Sequence, residues 1–269
     1  KERHDMTLEF CSFSSGSNGN CYLIKSETTA ILVDAGISTK RIVSGLSSTN
    51  TSSGQLAALL LTHEHSDHVK SLSVLMRKFG DVLAYANEKT WAAINQSIDR
   101  SRMKNFTTGT SFEIGDIGVN TFQVCHDAAD PVGYSFFKGG KQISILTDTG
   151  CIQEGMLDEI READLLVLEA NHDVDMLKIG RYPWFLKKRI LGDKGHLSNE
   201  SAAKMLVRLL SEKEKKRRIL LAHLSRENNF PEMAYQTIKN ILEEENYYIG
   251  KHVELDTIIR DEMSILYQV

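Results

Sequence analysis

Ten residues constrain this chain more than any other stretch: L59-L60-L61-T62-H63-E64-H65-S66-D67-H68 sets three imidazoles and a carboxylate at the end of an uncharged apolar run, Leu56 to Leu61. Such a run reads as a strand buried on both faces, which calls for layers above and below it. His63 and His65 follow at period two, so in extended backbone their side chains lean to the same side. From about Asp67 the period changes. Leu72, Leu75, Met76 and Phe79 recur at helical spacing, which predicts a helix over Ser66 to Phe79 with Gly80 as a left-handed cap. The cluster therefore sits at a strand-to-helix junction. An i, i+2 histidine pair can share one cation, while Asp67 and His68, displaced by the turn, can serve a second. Imidazole and carboxylate together suit zinc, manganese or iron better than calcium or magnesium.

Composition narrows the frame. With 269 residues and 41% hydrophobic content the chain can bury a large core. Its net charge of -4, from 32 basic and 36 acidic residues, excludes a global polycation, so any nucleic-acid surface has to be a local patch. Cys11, Cys21, Cys125 and Cys151 are too few and too scattered for a disulfide framework, which predicts reduced thiols in a cytoplasmic protein. No run reaches transmembrane length and no signal peptide precedes Phe10, so no membrane association is expected. The polar opening reads as a tag or disordered start over residues 1–6. No Pro/Ser/Gly linker parts the rest, and one domain over residues 1–269 is expected. The run K213-E214-K215-K216-R217-R218 reads as a solvated helix end.

Strands alternate with helices along the chain. Leu8 to Phe13, Cys21 to Lys25 and Ala30 to Asp34 form a meander with the loop S14-S15-G16-S17-N18-G19-N20. A helix is predicted over Asn87 to Arg100. Strands follow near Ser111 to Ile114, Val119 to Cys125, Tyr134 to Lys138 and Gln142 to Leu146, with Gly139-Gly140 as a hairpin turn. The second half repeats this grammar: helix Glu154 to Arg161, strand Leu165 to Glu169, helix Asn199 to Leu210, strand Arg218 to Ala222, helix Pro231 to Glu244 and closing strands. This order predicts an α/β (α+β) fold of two sheets packed face to face with helices outside. Three more strands finish in metal-competent side chains, His126, Asp148 and His223. Singly, each is more often a turn residue or hydrogen-bond partner than a ligand. Together with His63, His65, Asp67 and His68 they would complete a site for two ions with room for water.

On these residues the chain resembles the metallo-β-lactamase superfamily over essentially its whole length. V33-D34-A35-G36, H63-E64-H65-S66-D67-H68, His126, Asp148 and His223 match that family's five motifs in order. The resemblance implies a four-layer αββα sandwich of two repeated halves, its two mixed sheets face to face. It implies one divalent cation held by His63, His65 and His126, a second held by Asp67, His68 and His223, Asp148 bridging them, and Asp34 orienting the site. T147-D148-T149-G150 carries a carboxylate where true β-lactamases tend to carry a thiolate, which favours the branch of phosphodiesterases and thiolesterases. G195-H196-L197-S198 resembles the Gly-His motif of transfer-RNA 3'-processing and related phosphodiesterases, and implies that His196 protonates the leaving oxygen. Phosphodiester cleavage needs such a donor because an alkoxide leaves poorly.

Within the superfamily, E169-A170-N171-H172-D173, R181-Y182-P183-W184-F185-L186-K187-K188-R189, G192-D193-K194-G195-H196-L197-S198-N199-E200 and H223-L224-S225-R226-E227-N228-N229 resemble the WalJ (YycJ) group. These are bacterial proteins regarded as 5' to 3' DNA exonucleases and often linked to a cell-wall two-component system. That resemblance implies an exonuclease acting on DNA through a hydroxide that bridges two ions (Zn, Mn or Fe), with His196, Asp67 and Asp148 as catalytic groups. The insertion over about 172–198 interleaves aromatics with cations, the chemistry that stacks on unpaired bases and meets phosphates. His172, Arg181, Tyr182, Trp184 and Lys187 are the candidate substrate contacts. An amphipathic segment with its aromatics turned inward is the alternative. Two other functions stay open: a small-molecule phosphodiesterase, thioesterase or lactonase, and a catalytically quiet regulatory partner of a two-component system. The native metal, DNA against RNA, cleavage polarity and homo-oligomer formation stay open as well.

Overall fold

Strands that are apolar on both faces need cover on both, and this chain provides it with two sheets between two helical layers. The structure, a computed structural model, describes residues 7–212 and 215–269, so the expected tag or disordered start at residues 1–6 lies outside the described residues. Sheet one contains β1 (Glu9–Ser14), β2 (Cys21–Lys25), β3 (Ala30–Val33), β4 (Leu56–Leu60), β5 (Leu83–Asn87) and β6 (Met103–Phe106) side by side. Sheet two contains β7 (Ser111–Ile114), β8 (Ile117–Gln123), β9 (Val132–Lys138), β10 (Lys141–Leu146), β11 (Leu165–Glu169), β12 (Arg217–Ala222) and β13 (Val253–Thr257). The short β14 (Tyr267–Gln268) returns to pair with β1 at the edge of sheet one.

Both sheets repeat one pairing pattern. From β14 across to β6 the pairs run antiparallel three times and then parallel three times. From β7 across to β13 they do the same. This polarity sends the ends of β1, β3, β4, β5 and β6 to one rim of sheet one, and the ends of β8, β10, β11, β12 and β13 to one rim of sheet two. Strand-end loops are therefore collected where a site can be built.

Alternation along each strand sorts side chains between three packed layers. Ile31, Val33, Ala58 and Leu60 meet Ile143, Ile145, Leu165 and Val167 between the sheets. The intervening Leu32 and Leu59 pack outward on α1 (Thr39–Ser48) and, beyond α2 (Ser66–Val69), on α3 (Leu72–Lys78) and α4 (Glu88–Ala93), through Ile42, Leu75, Met76 and Trp91. On the far side, Leu166 and Leu168 pack on α5 (Glu154–Ile160), α8 (Asn199–Glu212) and α9 (Pro231–Glu244) through Leu157, Leu206 and Ile238. The layer order is the expected αββα. No helix among the described residues is long and apolar enough to cross a membrane.

Several local expectations are corrected. The single helix predicted over Ser66 to Phe79 is two helices, because the loops after β1 and β3 take backbone groups from the junction. The Asn20 amide donates to Asp67 O (2.8 Å), the Ala35 amide to His68 O (2.7 Å) and the Ser71 amide to Ala35 O (2.8 Å). Gly80 is not a left-handed cap; Phe79 ends α3 in an extended conformation. The helix predicted to Arg100 stops at Ala93, where Ile94 turns extended, and a 3-10 turn at Arg100–Arg102 leads into β6. α1, β5 and β6 were not anticipated. The insertion is helical, with α6 (Val174–Ile179) and α7 (Trp184–Leu191). In the basic run, Lys213 and Glu214 lie outside the described residues. Arg217 and Arg218 belong to β12 rather than to a helix end, Arg217 buried and donating to Arg161 O at 3.0 Å.

One carboxylate clamps the two sheets at their turns. Asp116, between β7 and β8, accepts from Ser26 Oγ (2.7 Å) and Thr28 Oγ1 (2.9 Å) of the β2–β3 turn and from Lys138 Nζ (2.5 Å). Partial burial pushes its pKa up, but Lys138 and these hydroxyls outweigh that and hold it below the usual carboxylate range. Asp116→Ala is expected to cost about 1 kcal/mol for these half-exposed bonds, a fall in Tm of about 2–4 °C. A depressed carboxyl stabilises above its unfolded pKa of about 3.9 and loses that contribution as pH falls through the folded value. The Tm gap between wild type and variant, measured by calorimetry, should therefore narrow in acid. An unchanged gap at all pH values would show that the carboxylate charge plays no part.

Candidate metal centre

Six strand ends converge at the common rim. Asp34 follows β3, His63 lies just beyond β4, His126 beyond β8, Asp148 beyond β10, Glu169 closes β11 and His223 follows β12. Asp34, Asp148 and His223 have φ of +64°, +55° and +56°. The left-handed conformation costs a side-chain-bearing residue about 1–2 kcal/mol. Three such residues at one rim mark a place where geometry outweighs backbone preference.

The donor atoms form overlapping groups. Ligand atoms of His63, His65 and His126 lie within 4.8 Å of one another, as do those of Asp67, His68 and His223, and those of His63, His68 and Asp148. Asp148 is central: its carboxylate is 3.5 Å from His68 Nε2, 3.5 Å from His223 Nε2 and 3.8 Å from His126 Nε2. His63 Nε2, Asp148 Oδ2 and His223 Nε2 are buried and have no hydrogen-bond partner among the described residues. Each such orphan costs about 1–3 kcal/mol, so this donor set fits a divalent cation in a way that mutual hydrogen bonding does not. These His and Asp clusters are groups that could hold a divalent metal ion.

The opposite nitrogens of the His63, His68, His126 and His223 rings are held from behind, which fixes tautomer and aim. Thr62 Oγ1 lies 3.0 Å from His63 Nδ1, and Asp34 Oδ2 2.7 Å from His68 Nδ1. Gly195 O accepts from His126 Nδ1 at 3.1 Å. Asp34 is in turn gripped by the Thr62 amide and hydroxyl, both at 2.9 Å. Asn20 Nδ2 reaches His68 Nε2 (3.0 Å) and Asp67 Oδ2 (3.4 Å), so the glycine-rich loop supports the centre directly. Gly36 permits that approach, since a Cβ there would fall 1.6 Å from Asp67 O.

Glu169 is a site residue to which the sequence reading assigned no role. Its Oε1 accepts from His196 Nδ1 and His223 Nδ1, both at 2.8 Å, and its Oε2 from the amides of Thr149 (2.9 Å) and Leu197 (3.2 Å). The available signal was a carboxylate ending a wholly buried strand, a group that demands partners. Thr62 and Asn20 were also missed.

Burial and neighbours set the protonation pattern. Burial, reinforced by His68, His126 and His65, pushes His63 well below the ordinary imidazole pKa, and burial lowers His126 too. Burial opposes protonation of His68 and His223, but Asp34 and Asp148 raise the first well above its ordinary value, and Asp148, Asp67 and Glu169 raise the second to about 10. Burial pushes Asp34 up against the pull of His68, whose Nδ1 is 2.7 Å away. Asp67 and Glu169 sit below the carboxylate range, burial being outweighed by His223 and His68 for Asp67 and by His196 and His223 for Glu169. His196 is raised by Glu169 and Asp148 against burial.

A cleft of about 230 Å³ opens onto the donors and is lined by His65, Asp67, His126, Asp148, His196 and His223 with Tyr182, Leu186, Arg189 and Ile190 of the insertion. A larger cavity of about 590 Å³, beside Asn87, Lys89 and Phe106, contains none of the donors, so the smaller cleft is the chemical one. The expected substrate contacts are not brought together. Tyr182 lines the cleft, while Arg181 and Trp184 lie outside it, exposed. Lys187 is only 8% exposed and donates to Lys178 O at 2.6 Å, so its amine faces the protein. His172 is 1% exposed and outside the cleft lining; burial lowers its pKa to about 4. All four cysteines are free thiols, Cys125 and Cys151 flanking the ligand loops.

Comparison with known proteins agrees with this geometry. Residues 29–224 match the β-lactamase superfamily domain. The chain is 43% identical over 251 residues to exodeoxyribonuclease WalJ of Streptococcus pneumoniae, covering 91% of this chain and 92% of that protein. It is 40% identical over 253 residues to exodeoxyribonuclease YycJ of Bacillus anthracis, covering 93% and 95%. Among solved structures, the metallo-β-lactamase fold protein YhfI of Bacillus subtilis superposes with a TM-score of 0.72 at 15% identity, covering 98% and 100%, which speaks to the fold alone. The chain belongs to the β-lactamase superfamily and is a metal-dependent hydrolase within it.

Proposed function

We propose that the chain hydrolyses phosphodiester bonds of DNA as an exonuclease working from the 5' end, at a site for two divalent cations. The observation that carries the dinuclear reading is the position of Asp148, within 3.8 Å of imidazole nitrogens from both sides of the cluster. His63, His65 and His126 would hold one cation, Asp67, His68 and His223 the other, and Asp148 would be shared. Zinc, manganese and iron all accept this nitrogen and oxygen set. When bound, such a pair polarises the phosphoryl oxygen, offsets developing charge and acidifies water. DNA as the polymer, and the exonuclease mode, follow from likeness to the two exodeoxyribonucleases.

The chain's own groups supply the rest. Glu169 accepts from His196 Nδ1, which favours the doubly protonated ring and aims its other nitrogen into the cleft. From there His196 donates a proton to the departing oxygen, the step an alkoxide most needs. Asp67, held by Asn20 and beside His68 and His223, would accept and relay the proton lost by the attacking water, with Asp148.

Digestion of end-labelled DNA and RNA, blocked at either end, across zinc, manganese, iron(II) and magnesium tests the proposal. Metal-dependent release of nucleotides from the 5' end of DNA is expected, abolished by a chelator and by a block at that end. Intact polymers alongside turnover of small thioesters or lactones would overturn it.

A further inference from the structure

We propose that Cys125 and Cys151 are a redox-modification site, two thiols that peroxide closes reversibly into a disulfide clasping the loops that carry His126 and Asp148. The inference does not depend on which substrate the cleft takes.

The fold presents the two sulfurs to each other from different strands. Cys125 lies just beyond β8 and directly precedes His126, while Cys151 lies three residues past Asp148 in the loop after β10. Their Sγ atoms stand 2.7 Å apart, across 26 positions of sequence. Three hydrogen bonds hold that approach. The Gly150 amide donates to Cys125 O at 2.8 Å, the Cys125 amide to Thr149 Oγ1 at 3.2 Å, and Thr149 Oγ1 to Cys151 O at 2.7 Å. The loop is wedged on its other side as well, since a Cβ at Gly150 would lie 2.4 Å from Gly192 O. Thiols registered in this way can join with little backbone movement.

The pair is also reachable. A cavity of about 390 Å³ is lined by both cysteines and by the exposed Gln123, Ala129 and Lys194. His126 lines this cavity and the cleft alike, so it stands between them. Cys11 and Cys21, by contrast, are wholly buried. Metal binding does not account for the pair, because none of the donor groups among the described residues includes either sulfur.

Hydrogen peroxide is an oxidant with which the chemistry balances. One sulfur attacks a peroxide oxygen, the O–O bond breaks, and a sulfenic acid forms with release of water. The second sulfur then displaces the sulfenic hydroxyl, forming the S–S bond and a second water. Each sulfur gives up one electron, and the peroxide oxygens take both. Burial, with Cys125 beside it, pushes the Cys151 thiol up to about 12, which makes it slow to attack peroxide directly. A sulfenic acid formed on the adjacent Cys125 offsets that slowness by proximity.

The test uses the full zinc-loaded chain, Cys125→Ser and Cys151→Ser, each reduced, treated with hydrogen peroxide, and then returned to tris(2-carboxyethyl)phosphine. In wild type the thiols titratable after denaturation should fall from four to two, and peptide mapping should find one link, Cys125 to Cys151, that the phosphine reverses. The linked form should melt at least about 3 °C higher than the reduced form and lose zinc to a chelator at least about threefold more slowly. Neither serine variant should form a link or show these changes with peroxide. Four thiols surviving peroxide, sulfinic acids without a link, or a link between other cysteines would overturn the site. A Cys125–Cys151 link that leaves melting and zinc release as in the reduced form would overturn the clasp. Reduced and oxidised wild type carry this comparison by themselves, so it stands even where a serine variant folds poorly.

Discussion

His196→Ala is expected to lower DNA hydrolysis by about 10²–10⁴-fold while bound metal, measured by elemental analysis, stays at the wild-type level. His196 lies at the cleft, and its Nδ1 is taken up by Glu169 at 2.8 Å, 3.8 Å from Asp148 Oδ1; it shares a donor group with Asp148, Glu169 and His223 but belongs to neither of the two proposed ligand sets. Its removal takes away a proton donor and leaves the His63, His65, His126 and Asp67, His68, His223 groups intact. Substrate chemistry separates this role from a structural one. A p-nitrophenolate leaves without help, so bis(p-nitrophenyl) phosphate turnover should fall far less than DNA turnover. Equal losses on both substrates, or loss of metal with activity, would show that His196 shapes the site rather than protonating the leaving group.

Asp148→Asn should remove metal and activity together. Asparagine keeps the size of the side chain and tolerates the φ of +55° at this position, so the substitution isolates the charge from backbone strain. The carboxylate faces His68, His126 and His223 at 3.5–3.8 Å and is the shared member of the cluster. Altering residues that merely support a ligand typically costs about 10–100-fold in metal affinity or activity; loss of a shared ligand should exceed that. The expected result is fewer metal equivalents retained on gel filtration and DNA turnover below detection, with the fold preserved by circular dichroism. Full metal retention with full activity would place the centre elsewhere.

Local sequence was a strong guide where local forces act. β2, β7, β11 and α9 have the predicted bounds, because a continuous apolar run or a proline-led amphipathic stretch states its own period. Prediction failed where distant backbone intervened. The helix expected from Ser66 to Phe79 breaks because Asn20 and Ala35 bond into it across 47 and 33 positions. β6 carries few apolar residues, MKNF, and is a strand because parallel β5 pairs with it, whereas β5 lies in the apolar run Val82 to Ala86, a local signal the sequence reading passed over.

The sequence by itself determined the chemical character of this protein: an H-x-H-x-D-H junction after a buried strand, an Asp after β10 and histidines after β8 and β12 are readable in order along the chain. Only the tertiary structure decided that these ends share one rim, because strand polarity depends on which partners pair and in which direction. It alone joined Glu169 to His196 and His223, 27 and 54 residues away, and turned Lys187 inward while leaving Trp184 and Phe185 in solvent. Residue type sets what a group can do, and period sets its face within one element. Which groups meet depends on how the two sheets pack, a non-local energy that no single window of sequence contains.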